Sequence, residues 1–168
     1  MTTNSKNKGN TFERKTANTL SERFAAYTGI EKSFRRNPDS GSFFGGGNKS
    51  RADTHDTEKA SFGDIIAPKD FKFTIECKHY KTAPAMAAMI KQEYALYDKW
   101  IEQAENDASK GGTDSLIIIK FNNVPEFVIL SNKFRHLRHF AVYKDYVLVA
   151  LEDCLKEPDE FFFTAAQA

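Results

Sequence analysis

Residues Phe62–Lys78, FGDIIAPKDFKFTIECK, decide the fold. Two runs rich in β-branched and aromatic side chains flank Pro68, Lys69 and Asp70, whose turn chemistry predicts a β-hairpin. The second strand alternates: Phe71, Phe73, Ile75 and Cys77 share one face, and Lys72, Thr74, Glu76 and Lys78 share the other. The first strand is apolar on both faces through Phe62, Ile65, Ile66 and Ala67, as in a central, doubly covered strand, yet it carries Asp64. An isolated buried carboxylate is costly, so Asp64 calls for a partner, a proton or a metal ion.

Taken alone, the acid-x-lysine of Glu76 and Lys78 reads as the solvated face of a half-buried sheet. Its combination with an acid in the preceding strand meets the needs of phosphodiester hydrolysis assisted by a divalent cation. Two neighbouring carboxylates repel unless a cation lies between them, and Mg²⁺ takes oxygen ligands from one or two carboxylates, water and phosphate. An ammonium beside it orients the attacking water and offsets charge building on the phosphate.

Gly63-Asp64 followed by Glu76-Cys77-Lys78 resembles the PD-(D/E)XK nuclease superfamily, with glycine in place of the leading proline. Lys8-Gly9, Glu13-Arg14 and then Ser40-Gly41-Ser42 resemble, in the same order, the K-G-x-x-x-E-R and G-S-G elements of archaeal-type Holliday-junction resolvases. The resemblance implies a restriction-endonuclease-like α/β core, with a mixed sheet of about five strands flanked by helices. It implies a structure-selective endodeoxyribonuclease acting on four-way or otherwise branched DNA. Mg²⁺, replaceable by Mn²⁺, would be held by Asp64, Glu76 and the Cys77 backbone carbonyl, with Glu13 beside them. Lys78 would handle the water, and Ser40 and Gln103 would support the site. Two other readings stay open: a restriction-like or repair nuclease on duplex DNA, and a nuclease-fold DNA-binding module without activity.

With 168 residues, 40% of them hydrophobic, the chain is long enough for one domain with a sizeable core and short for two. Its net charge of +1 hides an asymmetry: Met1 to Arg51 holds ten Lys and Arg against four Asp and Glu. Phosphate neutralisation dominates nucleic-acid affinity, so a DNA-facing surface is sought in this basic third. The candidates are Lys6, Lys8, Arg14, Arg35, Arg36, Ser40, Lys49 and Arg51, joined by His79 and Lys81 at the exit of the active strand. Cys77 and Cys154 form neither a disulfide framework nor a zinc-finger spacing, and the polar amino terminus carries no hydrophobic signal region. No apolar run approaches a membrane span, so a soluble protein of the cytoplasm is expected.

In chain order, residues 1–9 read as a mobile polar arm and residues 10–27 as a helix whose apolar stripe includes Phe12, Leu20 and Phe24. Asn10 with Glu13 is close to a capping box, an alternative to the catalytic reading of Glu13. A strand is expected at residues 32–36, then a flexible loop over 37–61 in which Phe43 and Phe44 either stack on unpaired bases or pin the loop. A helical region over 84–109 is expected to break near 92–98 and stop at Gly111-Gly112. Gln103 on that helix is either solvated surface or a support for the site. Strands follow at 115–121, 126–130 and 146–150, then a small helix at 151–155. His136 and His139 read as solvated. Phe161–Phe163 need cover from the body or from another subunit, and two symmetric nicks in a junction call for a homodimer.

Overall fold

The computed structural model describes residues 2–38 and 62–165. The described elements run α1 (Thr2–Thr28), β1 (Arg35–Arg36), β2 (Ile65–Ile66), β3 (Phe73–Tyr80), α2 (Met86–Lys91), α3 (Ala95–Gly111), β4 (Asp114–Phe121), β5 (Phe127–Ser131), β6 (Ala141–Tyr143), β7 (Tyr146–Ala150), α4 (Leu151–Cys154) and α5 (Asp159–Phe162). The expected hairpin forms: β2 pairs antiparallel with β3, Ile65 lies opposite Ile75, and the Phe71 amide closes the turn onto the Pro68 carbonyl. β3 then pairs in parallel with β4 from Phe73 opposite Asp114 to Tyr80 opposite Phe121. The sheet has seven strands in the order β1-β2-β3-β4-β5-β7-β6, with every other pairing antiparallel.

The period-two alternation of the strands builds two cores. Phe12, Ala17, Leu20 and Phe24 of α1 pack on the face that carries Ile75, Cys77, Leu116, Ile118 and Val128. Tyr97, Trp100, Ile101 and Ala104 of α3 cover the opposite face, where Ile117, Ile119, Phe121 and Ile129 point. The result is a mixed sheet between helices, the restriction-endonuclease-like α/β arrangement. Thr74 and Glu76 lie on the α3 face and are buried, so the solvated-face reading of the acid-x-lysine taken alone does not hold for them.

Several boundaries differ from expectation, each for a physical reason. α1 begins at Thr2, not Asn10, because TTNSKNKGN has no apolar periodicity from which a helix could be read. Asn10 is therefore helix interior and caps nothing. The break in the second helical region falls at Gln92, whose left-handed φ of 57° ends α2. Its side-chain amide donates to the carbonyls of Met89 and Val142, and its carbonyl oxygen accepts from the Lys144 amide, which ties the break to the edge of the sheet. Gly112 stops α3 at φ 64°. The sheet exceeds the expected five or so strands through β6, a three-residue edge with too little pattern to read, and the strand expected at 32–36 shortens to Arg35–Arg36.

The tail answers the question its phenylalanines posed. It folds back on the body: the Lys72 amide donates to the Phe162 carbonyl, Thr164 to Asp70, and Phe71 bridges Phe163. Phe162 and Phe163 are buried, their rings 4.9 and 5.1 Å from that of Phe24. Arg23 reinforces the closure, donating to the carbonyls of Leu155 and Glu157 and to the Asp159 carboxylate. These rings are core, and they offer no surface to a second subunit. No described helix is long and apolar enough to cross a membrane.

Candidate active site

Gly63 sets the geometry of the first acid. Its φ is +78°, and a Cβ there would lie 2.6 Å from the Ile75 carbonyl oxygen. Proline, fixed near φ −65°, cannot adopt this conformation, which accounts for the glycine that precedes Asp64. The following peptide is held on both sides: the Asp64 amide donates to the Ile75 carbonyl at 2.8 Å, and the Asp64 carbonyl accepts from the Asn37 amide at 2.8 Å. Asn37 Nδ2 also donates to the Gly63 carbonyl at 2.9 Å. The Cys77 amide donates to Asp64 Oδ2 at 2.8 Å, so the carboxylate is aimed at the middle of β3.

Glu76 is 1% exposed. Its Oε2 accepts from Lys78 Nζ and from Gln103 Nε2, both at 3.1 Å, and Lys78 Nζ also donates to Gln103 Oε1 at 3.0 Å. Strand spacing puts Glu76 and Lys78 on one face, and α3 brings Gln103 down onto them. Burial, and after it the negative charge of Asp64, push the Glu76 carboxyl from an ordinary 4.5 up to about 7, against the pull of Lys78.

This donor set fits a hard divalent cation. Glu76 is buried and its carboxyl is raised further by the charge of Asp64, and a cation between the two offsets both the burial cost and the repulsion. Among the described residues, no three His, Cys, Asp or Glu cluster as metal ligands. Two carboxylates completed by backbone, water and phosphate oxygens match the oxygen-ligand sets that hard divalent cations take.

Glu13 approaches from α1. Its Oε2 accepts from Arg36 Nε at 2.5 Å, and Arg36 Nη2 donates to Asn10 Oδ1 at 2.8 Å, so the pairing expected between Asn10 and Glu13 is replaced by a shared hold on Arg36. Burial, reinforced by the charge of Asp64 and then by those of Glu13 and Glu76, raises the Cys77 thiol well above its usual range, while a hydrogen bond with Thr16 opposes this. All three acids thus act on the surroundings of Cys77.

The remaining candidates are scattered. Lys6, Lys8 and Arg14 are exposed on α1, Lys81 is exposed beyond β3, and Arg35 is half-buried in β1. Arg36 donates to Glu13 Oε2 and Asn10 Oδ1. His79 packs its ring edge-on against Phe12 at 5.6 Å and faces Asn122 through Nε2. Ser40, Lys49 and Arg51 lie outside the described residues, as do Phe43 and Phe44. The sequence reading missed Asn37 and Thr16. The Asn37-Pro38 pair marks a strand end, which was the available signal for Asn37, whereas a threonine inside a helix gives none.

No curated protein and no solved structure matches the chain. The family described as "Phage putative PDDEXK endonuclease" matches residues 4–160, nearly the whole chain and all of the site assembled above. On that match, with a restriction-endonuclease-like sheet carrying Asp64, Glu76 and Lys78, the chain belongs to this family of PD-(D/E)XK nucleases.

Proposed function

We propose that the protein is a metal-dependent, structure-selective endodeoxyribonuclease that cuts branched DNA, with the four-way junction as its leading substrate. The observation that carries the reading is Glu76: a carboxylate 1% exposed, set against Asp64 and bonded to Lys78 and Gln103. Asp64, Glu76 and the Cys77 backbone carbonyl would hold Mg²⁺, or Mn²⁺ in its place. Such an ion supplies an activated water and neutralises charge on the phosphate.

The chain's own residues do the positioning. Lys78 has three ammonium protons, and Glu76 and Gln103 take two, leaving one for the water or a phosphate oxygen. Gln103 keeps the acid and the lysine in register, Asn37 and the Cys77 amide fix Asp64, and Arg36 holds Glu13 against the site. Ser40 supports the site by its place in the family element. Lys6, Lys8, Arg14, Arg35, Lys49, Arg51, His79 and Lys81 are the proposed contacts to DNA.

Paired nicks across a junction need two active sites facing opposite strands, which a two-fold homodimer supplies. Support for pairing comes from α2 and the β6 edge, where Met86 and Ile90 are each 76% exposed and Phe140 is 62% exposed. The test is a cleavage panel with Mg²⁺ on labelled four-way junction, flap and linear duplex. Symmetric paired cuts in the junction are expected. Equal cutting of linear duplex would favour the restriction-like reading instead.

A further inference from the structure

On the α1 face, at the carboxyl ends of the parallel strands β3 and β4, His79 stands opposite Lys120. Both continue the alternation that turns Cys77 and Ile118 toward α1. Above them α1 contributes Lys8, Phe12 and Lys15, and together with Glu126 these residues line a groove of about 340 Å³. Crevices outside the carboxyl ends of strands are where open α/β sheets receive ligands.

The groove is basic and incompletely satisfied. Lys15 Nζ meets Glu126 Oε1 at 2.6 Å, and Lys120 Nζ donates to the Val124 carbonyl at 2.7 Å, so each ammonium keeps donors in hand. Lys8 is exposed and has no ion-pair partner among the described residues. Three ammonium groups therefore face one carboxylate. His79 Nδ1 is a buried nitrogen without a hydrogen-bond partner; with Nε2 facing the Asn122 oxygen it is the acceptor of a neutral ring, so the lysines are the groups here that can meet an anion.

We infer that this groove is a second phosphate subsite, which seats a backbone phosphate of the DNA strand away from the bond that is cut. The inference rests on the nuclease reading for its ligand, DNA. Lys78 and His79 are consecutive and point to opposite faces of β3, so the strand itself separates the groove from the carboxylates. The subsite positions the strand and takes no part in the chemistry. Glu126 holds the place of the phosphate on Lys15 until DNA arrives, and this gives the inference a sign that a structural role lacks.

The test is fluorescence anisotropy of a labelled four-way junction over a NaCl series, in EDTA so that binding is read without cleavage. The paired substitution Lys15→Ala with Lys120→Ala should lower the slope of log K against log salt by about 0.9, the loss of one phosphate contact. Glu126→Gln should tighten binding by roughly two- to fivefold, the range of an exposed ion pair, whereas a merely destabilised protein would bind more weakly. Lys133→Ala, at a lysine paired with Asp114 on another part of the surface, should change neither. An unaltered slope in the double variant, or a Glu126→Gln protein that binds no tighter, overturns the subsite. Junctions with and without 5′-phosphates should bind alike; dependence on the terminal phosphate overturns the backbone assignment in favour of an end-binding pocket. If the cleavage panel is blank while the slope shift is present, the nuclease reading falls and the DNA-binding groove stands.

Discussion

Replacing Glu76 with Gln should make the metal-free protein more stable at alkaline pH and leave it little changed in acid. The carboxyl is raised from an ordinary 4.5 to about 7, first by burial and then by the charge of Asp64. A group whose folded-state pKa lies above its unfolded value contributes stability fully present below about pH 4.5 and lost as pH rises through about 7. At 1.36 kcal/mol per pH unit, that interval corresponds to roughly 3 kcal/mol of penalty once the carboxylate is charged. The amide in Gln keeps an oxygen for Lys78 and Gln103 but gives up the ion pair to Lys78, which returns part of the gain. The expected net is about 1–2 kcal/mol at pH 8, or about 2–8 °C in Tm for a domain of this size. Thermal melts of both proteins in EDTA at pH 4 and pH 8 read this directly. Adding Mg²⁺ at pH 8 should then raise the Tm of the wild type and not that of the variant. A variant less stable than the wild type by the same margin at both pH values would refute the reasoning, because it would mean that Lys78 already satisfies the charged carboxylate.

Lys78→Ala should slow single-turnover cleavage by about 10²-fold or more, the scale of a lost proton-transfer group, with junction affinity changed far less. Full rate with weakened binding would make Lys78 a phosphate contact. Gly63→Ala forces a Cβ to 2.6 Å from the Ile75 carbonyl at a positive φ, and should destabilise by more than about 1 kcal/mol in urea unfolding while lowering the cleavage rate. Phe162→Ala empties a fully buried place among Phe24, Phe71 and Phe73 and should cost about 3–5 kcal/mol in the same assay; a cost below about 1 kcal/mol would place the tail outside the core.

The parts of this protein that were legible in its sequence are those where a period meets a breaker. Alternation in residues 71–78, turn chemistry at Pro68–Asp70, and the stop at Gly111-Gly112 each translate directly into local structure. Asp64, Glu76 and Lys78 were readable as a set because strand spacing fixes which of them share a face. What strand spacing cannot say is which face is covered: taken alone the acid-x-lysine face reads as solvated, and the raised pKa of Glu76 follows from the cover that α3 gives it. Long-range polar clasps were equally hidden: Arg36 with Glu13 and Asn10, and Asn37 with Gly63 and Asp64, join residues 23 to 27 positions apart. The start of α1 escaped because TTNSKNKGN carries no apolar period from which a helix could be read. The fate of Phe161–Phe163 depended on tertiary space beside Phe24, which no local pattern encodes.

The central claim is that Asp64 and Glu76 form one metal-dependent hydrolytic site, and single-turnover cleavage of a labelled four-way junction by wild-type and Asp64→Asn protein tests it most directly, with junction binding measured in parallel. The account predicts that the wild type cuts with Mg²⁺ and not in EDTA. It predicts that Asp64→Asn falls to background cutting while binding the junction at least as tightly, because a negative charge facing phosphate has been removed. Cleavage at the wild-type rate by Asp64→Asn, or cleavage that persists in EDTA, would contradict it.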